Sequence, residues 1–178
     1  RLVDSVAGGV CQVSSALYNA GLYAGLEVLE RHAHTLALNY IEPGRDAAVW
    51  FEGRQDLRLR NPHNFPLTVE AEIAKQQVVV RLVTSSREGK TWKDTHKIEV
   101  KVEKQGEIPY QTVRIQDAQL PQGEKVVELA GVKGYCYVMA KRIIWENNEI
   151  CKEEVLSRDS YGPIPERSRV GTGSKAGS

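Results

Sequence analysis

The apolar period changes once along this chain, and that change limits its fold more than any other feature. Between residues 8 and 30, Val10, Val13, Leu17, Ala20, Ala24 and Val28 step by three or four. That spacing predicts one helix with a single buried stripe. Gly21 and Gly25, one turn apart, would let another backbone approach it closely. From Thr35 onward the signals are those of strands. Residues 46–52 follow a Pro43-Gly44 turn, and residues 57–60 alternate apolar with basic. Leu67, Val69, Ala71 and Ile73 alternate with Thr68, Glu70 and Glu72, the pattern of a strand with one wet face. Residues 78–83 read as its more buried partner. The first unit, residues 1–92, is therefore expected to be α+β: one helix packed on an antiparallel sheet.

Residues 85–90 read as a turn and 91–97 as the boundary. Beyond them Ile98, Val100 and Val102 alternate with charged residues, and residues 126–129 precede Gly131 and Gly134. Two apolar runs, 135–145 and 149–156, flank Asn147-Asn148, which suits a type I′ hairpin turn because Asn tolerates positive φ. Residues 95–171 are thus expected to form an elongated all-β unit, and the linker-like 172–178 a disordered tail. With a two-residue turn, Ile144 pairs with Cys151. Cys136 then lies roughly 26 Å further along its strand at ~3.3 Å per residue, beyond the ~7 Å reach of a disulfide.

Composition narrows the function classes. Lys plus Arg number 24 against 23 Asp plus Glu, and the balance is even in both halves, so nucleic acid is not an expected partner. No stretch approaches the roughly 18 apolar residues of a membrane span. The chain starts at Arg1 without a signal peptide, so any signal or anchor is expected upstream. Three cysteines without a CxxC pair suggest neither a disulfide framework nor a structural zinc site.

The run Gly8-Gly9-Val10-Cys11-Gln12-Val13-Ser14-Ser15-Ala16-Leu17-Tyr18-Asn19-Ala20 resembles the signature of the VanW-like family. Arg31-His32-Ala33-His34-Thr35, Tyr40 and Pro43-Gly44-Arg45-Asp46-Ala47 extend that resemblance in order. Ala7 and Ala16 depart from it, standing where a glycine and a threonine are usual. Residues 95–171 resemble a G5 domain through Glu107-Ile108-Pro109-Tyr110, Leu120-Pro121-Gln122-Gly123-Glu124, Gly131-Val132-Lys133-Gly134, Glu146-Asn147-Asn148-Glu149 and Val170-Gly171. Asn148 there replaces an expected glycine. The two resemblances imply a bacterial surface protein, extracellular or in the cell wall, with wall glycan or peptide as partner. The VanW-like name comes from glycopeptide-resistance clusters and establishes no activity.

Chemistry centres on Cys11, His34 and Asp46. A thiol near a helix start meets unpaired N–H groups and the positive end of the dipole, which favours thiolate. A nucleophilic cysteine also needs a base held by a third group, an order that His34 and Asp46 supply. Cysteine on a helix, then histidine and aspartate on strands, is the general layout of papain-like and transglutaminase-like enzymes, by analogy alone. That reading makes the protein an acyl-transferase or hydrolase of wall peptides. The competing one makes Cys11 a buried core residue and the chain a non-catalytic binding module. On a strand His32 and His34 face opposite sides, so only one can serve Cys11, and His34 is preferred. Asp46 can equally end an Asx turn or pair with Arg45. A metal site from His32, His34 and Asp46, or from Cys11 with a histidine, lacks a tight ligand pattern; no metal or cofactor is expected. In the second unit Tyr110, Tyr135, Tyr137 and Trp145 are candidates for stacking on a sugar, or for ordinary cross-strand packing. Trp50, Phe51 and Trp92 read as core or interdomain residues.

Overall fold

The computed structural model describes residues 9–75, 77–84 and 92–173, without the side chains of Trp92 and Lys93. The turn at 85–90, Trp92 as a core residue and residues 174–178 of the expected tail lie outside that description.

Helix α1 (Val10–Tyr23) forms where the period predicts it but stops seven residues short of the expected end. Gly25 stops it. At φ 74° it takes the left-handed backbone that a glycine adopts without strain. The Gly25 N–H then bonds Leu22 O at 3.2 Å and the Leu26 N–H bonds Gly21 O at 2.9 Å, the two bonds of a Schellman cap. The chain leaves as strand β1 (Glu27–Glu30), so Val28 belongs to a strand.

The buried face of α1 also differs from the apolar stripe. It consists of Ser14, Ser15, Tyr18, Gly21 and Leu22, while Val10 and Val13 are 49% and 44% exposed. Polar atoms decided this rotation. Residues 45–49, expected to be part of a strand, run along the helix with backbone groups that only side chains can satisfy. Ser14 Oγ donates to Ala47 O at 2.6 Å, and Ala47 N–H donates to Ser15 Oγ at 2.9 Å. Asn19 Nδ2 donates to Arg45 O at 2.7 Å and Cys11 Sγ to Val49 O at 3.6 Å. An isolated bridge of His32 with Ala48 joins this segment to the chain just past the end of β1, and one of Trp50 with Gln55 follows it.

The rest of the first half is two antiparallel pairs rather than one sheet. β1 pairs with β2 (Arg58–Arg60), and β3 (Thr68–Ala74) with β4 (Gln77–Val83). Alternation in β3 predicted one buried face, yet every residue of β3 is exposed. Helix α1 packs on β4 instead, which explains why β4 is the more buried partner.

A single turn, α2 (Trp92–Thr95), leads into the all-β half, where no long helix occurs among the described residues. Three strands of thirteen residues, β5 (His96–Ile108), β8 (Gly134–Glu146) and β9 (Glu149–Tyr161), form one antiparallel sheet, order β5-β8-β9. Asn147 and Asn148 take φ 50° and 67°, as the type I′ turn requires. Glu146 pairs with Glu149, but Ile144 pairs with Lys152, because a bulge leaves Cys151 unmatched with its Sγ on Ile144 O. Cys136 and Cys151 are both free.

Two strands had no signal in the sequence. β6 (Thr112–Pro121) and β10 (Glu166–Gly173) pair in parallel, and β10 also pairs antiparallel with β7 (Lys125–Leu129). β10 thus lies between strands that a short turn connects, and it carries the chain two residues past the expected boundary at 171. The fit leaves no room for a side chain at Gly171, where a Cβ would stand 1.9 Å from Pro121 O. Gly171→Ala should therefore lower unfolding stability by about 2 kcal/mol, the scale of forced overpacking. Gly9→Ala, with open space around its Cβ, should change it little; equal urea midpoints for the two variants would contradict this.

Candidate functional site

The residues singled out in the first half converge on a buried polar knot. Asp46 is its centre, with 2% of its side chain exposed. Pro43 and Gly44 (φ 89°) turn the chain there, Arg45 N–H bonding Glu42 O at 2.9 Å. Asp46 Oδ2 accepts the His34 backbone N–H and His34 Nδ1, each at 2.7 Å. Its Oδ1 accepts Arg31 Nη2 at 2.7 Å and the Tyr161 hydroxyl at 2.6 Å. Arg31 also donates Nε to Asp46 O at 2.7 Å and Nη1 to Asp159 Oδ2 at 2.5 Å. The Tyr161 hydroxyl accepts the Gly44 N–H at 2.8 Å. Every contact joins a residue before position 47 to another such residue or to strand β9.

Electrostatics follow from these contacts. Burial alone would raise the Asp46 carboxyl, but its bonds to His34, Arg31 and Tyr161 outweigh burial and hold it at about 2. Tyr161 is pushed well above the usual phenol range, first by burial and then by Asp46 beside it. Tyr40 rises to about 12, chiefly through burial.

The expected triad forms in part. His34 and Asp46 meet as a histidine–carboxylate pair, Nδ1 lying 2.7 Å from Oδ2. Cys11 does not complete it: its thiol donates to Val49 O, and among the described residues it makes no hydrogen bond to His34. His32 parts from His34, its Nε2 lying 3.1 Å from Glu30 Oε1. No group of three His, Cys, Asp or Glu side chains placed to hold a metal ion occurs among the described residues. A cleft of about 860 Å³ opens elsewhere, at the other end of α1, between Tyr23, Phe65, Leu67, Leu82 and Ile98; Cys11, His34 and Asp46 do not line it.

The four aromatic candidates of the second half do not share one surface. Tyr110 lies across Gly131, where a Cβ would come within 2.3 Å of the ring. Tyr135 packs on the core cluster of Ala37, Val138 and Tyr161, with Lys104 Nζ 5.7 Å from its ring centre. Tyr137 donates its hydroxyl to Met139 Sδ. Trp145 stands ten residues along β8 from Tyr135, about 33 Å away, with its indole N–H buried and unbonded. Trp50 and Phe51, read as core or interdomain residues, are 57% and 97% exposed because a tight turn closed by reciprocal Trp50–Gln55 bonds holds them outward.

Residues 1–83 match the family described as VanW like protein, and residues 99–173 match the G5 domain family. The chain is a VanW-like domain followed by a G5 domain. The chain is 40% identical over 85 residues to the uncharacterized protein YoaR of Bacillus subtilis (strain 168). That match covers 48% of this chain and 28% of YoaR, so the chain spans under a third of its relative's length. Among solved structures, an IgA1 protease G5 domain is 24% identical, over 44% of this chain and 93% of that one, with a TM-score of 0.26. HP0197-G5 is 19% identical, over 43% and 96%, with a TM-score of 0.23. The two domain families indicate a cell-envelope-associated protein. No described helix is long and apolar enough to cross a membrane.

Several residues that join the VanW-like and G5 domains had escaped notice. Arg142 of β8, with 3% of its side chain exposed, donates Nη1 to Leu26 O at 2.7 Å and Leu22 O at 3.3 Å, at the end of α1. Glu154 neutralises it through Nε at 2.6 Å. Arg31, Asp159 and Tyr161 play the same joining part. One signal was available: Cys11, Ser15 and Asn19 repeat every four residues, a polar row that a helix does not bury without partners.

Asp46 also sets a pH dependence. Its folded pKa lies below the unfolded value of about 3.9, so its stabilisation is complete above the unfolded pKa and is lost as pH falls through about 2. Unfolding measured from pH 5 down to 2 should show a loss on the order of 2 kcal/mol from this group. Asp46→Asn should be less stable at neutral pH and flatter over that window. Parallel curves for the two proteins would show that Asp46 does not carry the effect.

Proposed function

We propose that this protein is a wall-associated binding module, in which the G5 domain contacts peptidoglycan glycan and the VanW-like domain is its scaffold. The division falls at residues 92–95. One observation carries the reading: the carboxylate that would orient a catalytic base also accepts the Tyr161 hydroxyl of the G5 domain and holds Arg31, which bonds Asp159 of that domain. Of the four short bonds to its carboxylate one reaches the G5 domain directly, and Arg31 adds a second link through Asp159. The Cys11 thiol is likewise engaged, in the same row of helix side chains that holds residues 45–49.

On the G5 side the reading favours the end of the sheet where Tyr110 and Tyr135 lie close to Lys133 and Glu107. Lys133 bonds Glu107 at 2.7 Å, and Tyr110 is 39% exposed. An aromatic face bordered by a charged pair suits a sugar, which stacks its C–H face and bonds its hydroxyls. Localisation in the wall or outside the cell belongs to the same proposal.

A second reading, acyl transfer or hydrolysis on wall peptides, draws support from the His34–Asp46 pair alone. One experiment separates the two. The intact chain should co-sediment with purified peptidoglycan, Cys11→Ala should bind equally well, and Tyr110→Ala should bind about tenfold more weakly, as for ~1.4 kcal/mol of lost contact. Failure of the wild type to sediment would sink the binding module. Release of wall peptides that Cys11→Ala abolishes would establish the enzyme. A thiolate nucleophile should also alkylate with iodoacetamide near neutral pH far faster than Cys136 or Cys151, and more slowly after His34→Ala.

A further inference from the structure

Strand β3 is the barest element of the molecule. All seven of its residues are exposed, Val69 at 57% and Ile73 at 82%. It pairs with β4 on one side, and among the described residues nothing pairs with its outer edge. That edge is regular. The β3–β4 register runs unbroken from Thr68 opposite Val83 to Ala74 opposite Gln77, whereas the ladders of β1–β2, β6–β10, β7–β10 and β8–β9 all contain shifts. β3 also lacks the proline, lysine or bulge that ordinarily blunts an edge strand.

Cross-strand partners share a face of the pleat, so the two faces can be read directly. Val69, Ala71 and Ile73 lie with Leu82, Val80 and Val78 on one, all apolar. Thr68, Glu70 and Glu72 lie with Val83, Arg81 and Val79 on the other. Arg81 stands opposite Glu70 and bonds Glu72 at 2.6 Å, so its one charge faces two carboxylates on this side of the pair. A second copy pairing antiparallel about Ala71 would set Glu70 against Glu72 twice, and like charges directly opposite are destabilising. In that central register the edge is open, but not to itself.

We propose that the outer edge of β3 receives a strand from a partner polypeptide in which lysine or arginine alternates with apolar residues. The partner's cations would lie opposite Glu70 and Glu72. Its apolar side chains would extend the face of Val69, Ala71 and Ile73, and its backbone would complete the ladder. The proposal stands apart from the wall-binding reading, since β3 belongs to the VanW-like domain and shares no residue with the Tyr110 surface.

Amide hydrogen exchange on the intact chain tests it, with three capped peptides the length of β3. One alternates lysine with valine, one alternates glutamate with valine, and one scrambles the lysine peptide. The alternating lysine peptide should slow exchange at alternate β3 amides. Glu70→Lys/Glu72→Lys should weaken that binding by about tenfold, as for two lost cross-strand ion pairs. The same variant should now prefer the glutamate peptide, a gain that misfolding could not produce. Equal binding of the scrambled peptide, protection elsewhere than β3, or self-association through β3 without any peptide would each overturn the proposal.

Discussion

Arg31 is a guanidinium with 5% of its side chain exposed, and it holds two carboxylates of different origin. Asp46 comes from the VanW-like domain and Asp159 from the last long strand of the G5 domain. Taking such charges out of water is costly, and only near-complete pairing offsets it. Here pairing is near complete: Arg31 donates to both carboxylates and to Asp46 O, while Tyr161 and His34 occupy the remaining acceptor sites of Asp46. Removing one member would leave the others buried without partners, a loss of about 3–5 kcal/mol in comparable pairs. The two domains are therefore joined by specific polar geometry, with apolar packing around it.

A second buried arginine repeats the principle from the opposite side. Arg142 belongs to the G5 sheet, yet it satisfies carbonyls at the end of α1, where a helix leaves its last C=O groups unbonded. A cation there also meets the negative end of the helix dipole. Between the two arginines lies an apolar core drawn from both halves: Tyr18, Leu22 and Ala47 pack with Val100 and Leu156. The chain matches two families in succession, but its interior is not divided between them.

The carboxylate of the His34–Asp46 pair also ties the two domains together through Tyr161. A histidine–carboxylate pair needs a nucleophile within reach of its free nitrogen. The Cys11 thiol instead belongs to a row, with Ser15 and Asn19, that supplies hydrogen bonds to a segment lacking a sheet neighbour. Such a row is as demanding of residue type as an active site is.

Local structure was legible wherever its cause was local. Periodicity determined one helix and then strands, and the Asn147-Asn148 turn followed from positive φ at two adjacent residues. What escaped the sequence depends on partners distant along the chain. β6 and β10 are strands because they pair across some fifty residues, and β10 carries two glycines that make a poor strand alone. The rotation of α1 was set by the backbone of residues 45–49, not by its own apolar stripe. Cys11, His34 and Asp46 were identifiable as residue types, but a carboxylate orienting a base and a carboxylate bridging domains look alike in one dimension. Only tertiary structure brings Arg31, Tyr161 and Asp159 together around Asp46, because hydrogen bonds between distant residues leave no periodic trace in the sequence.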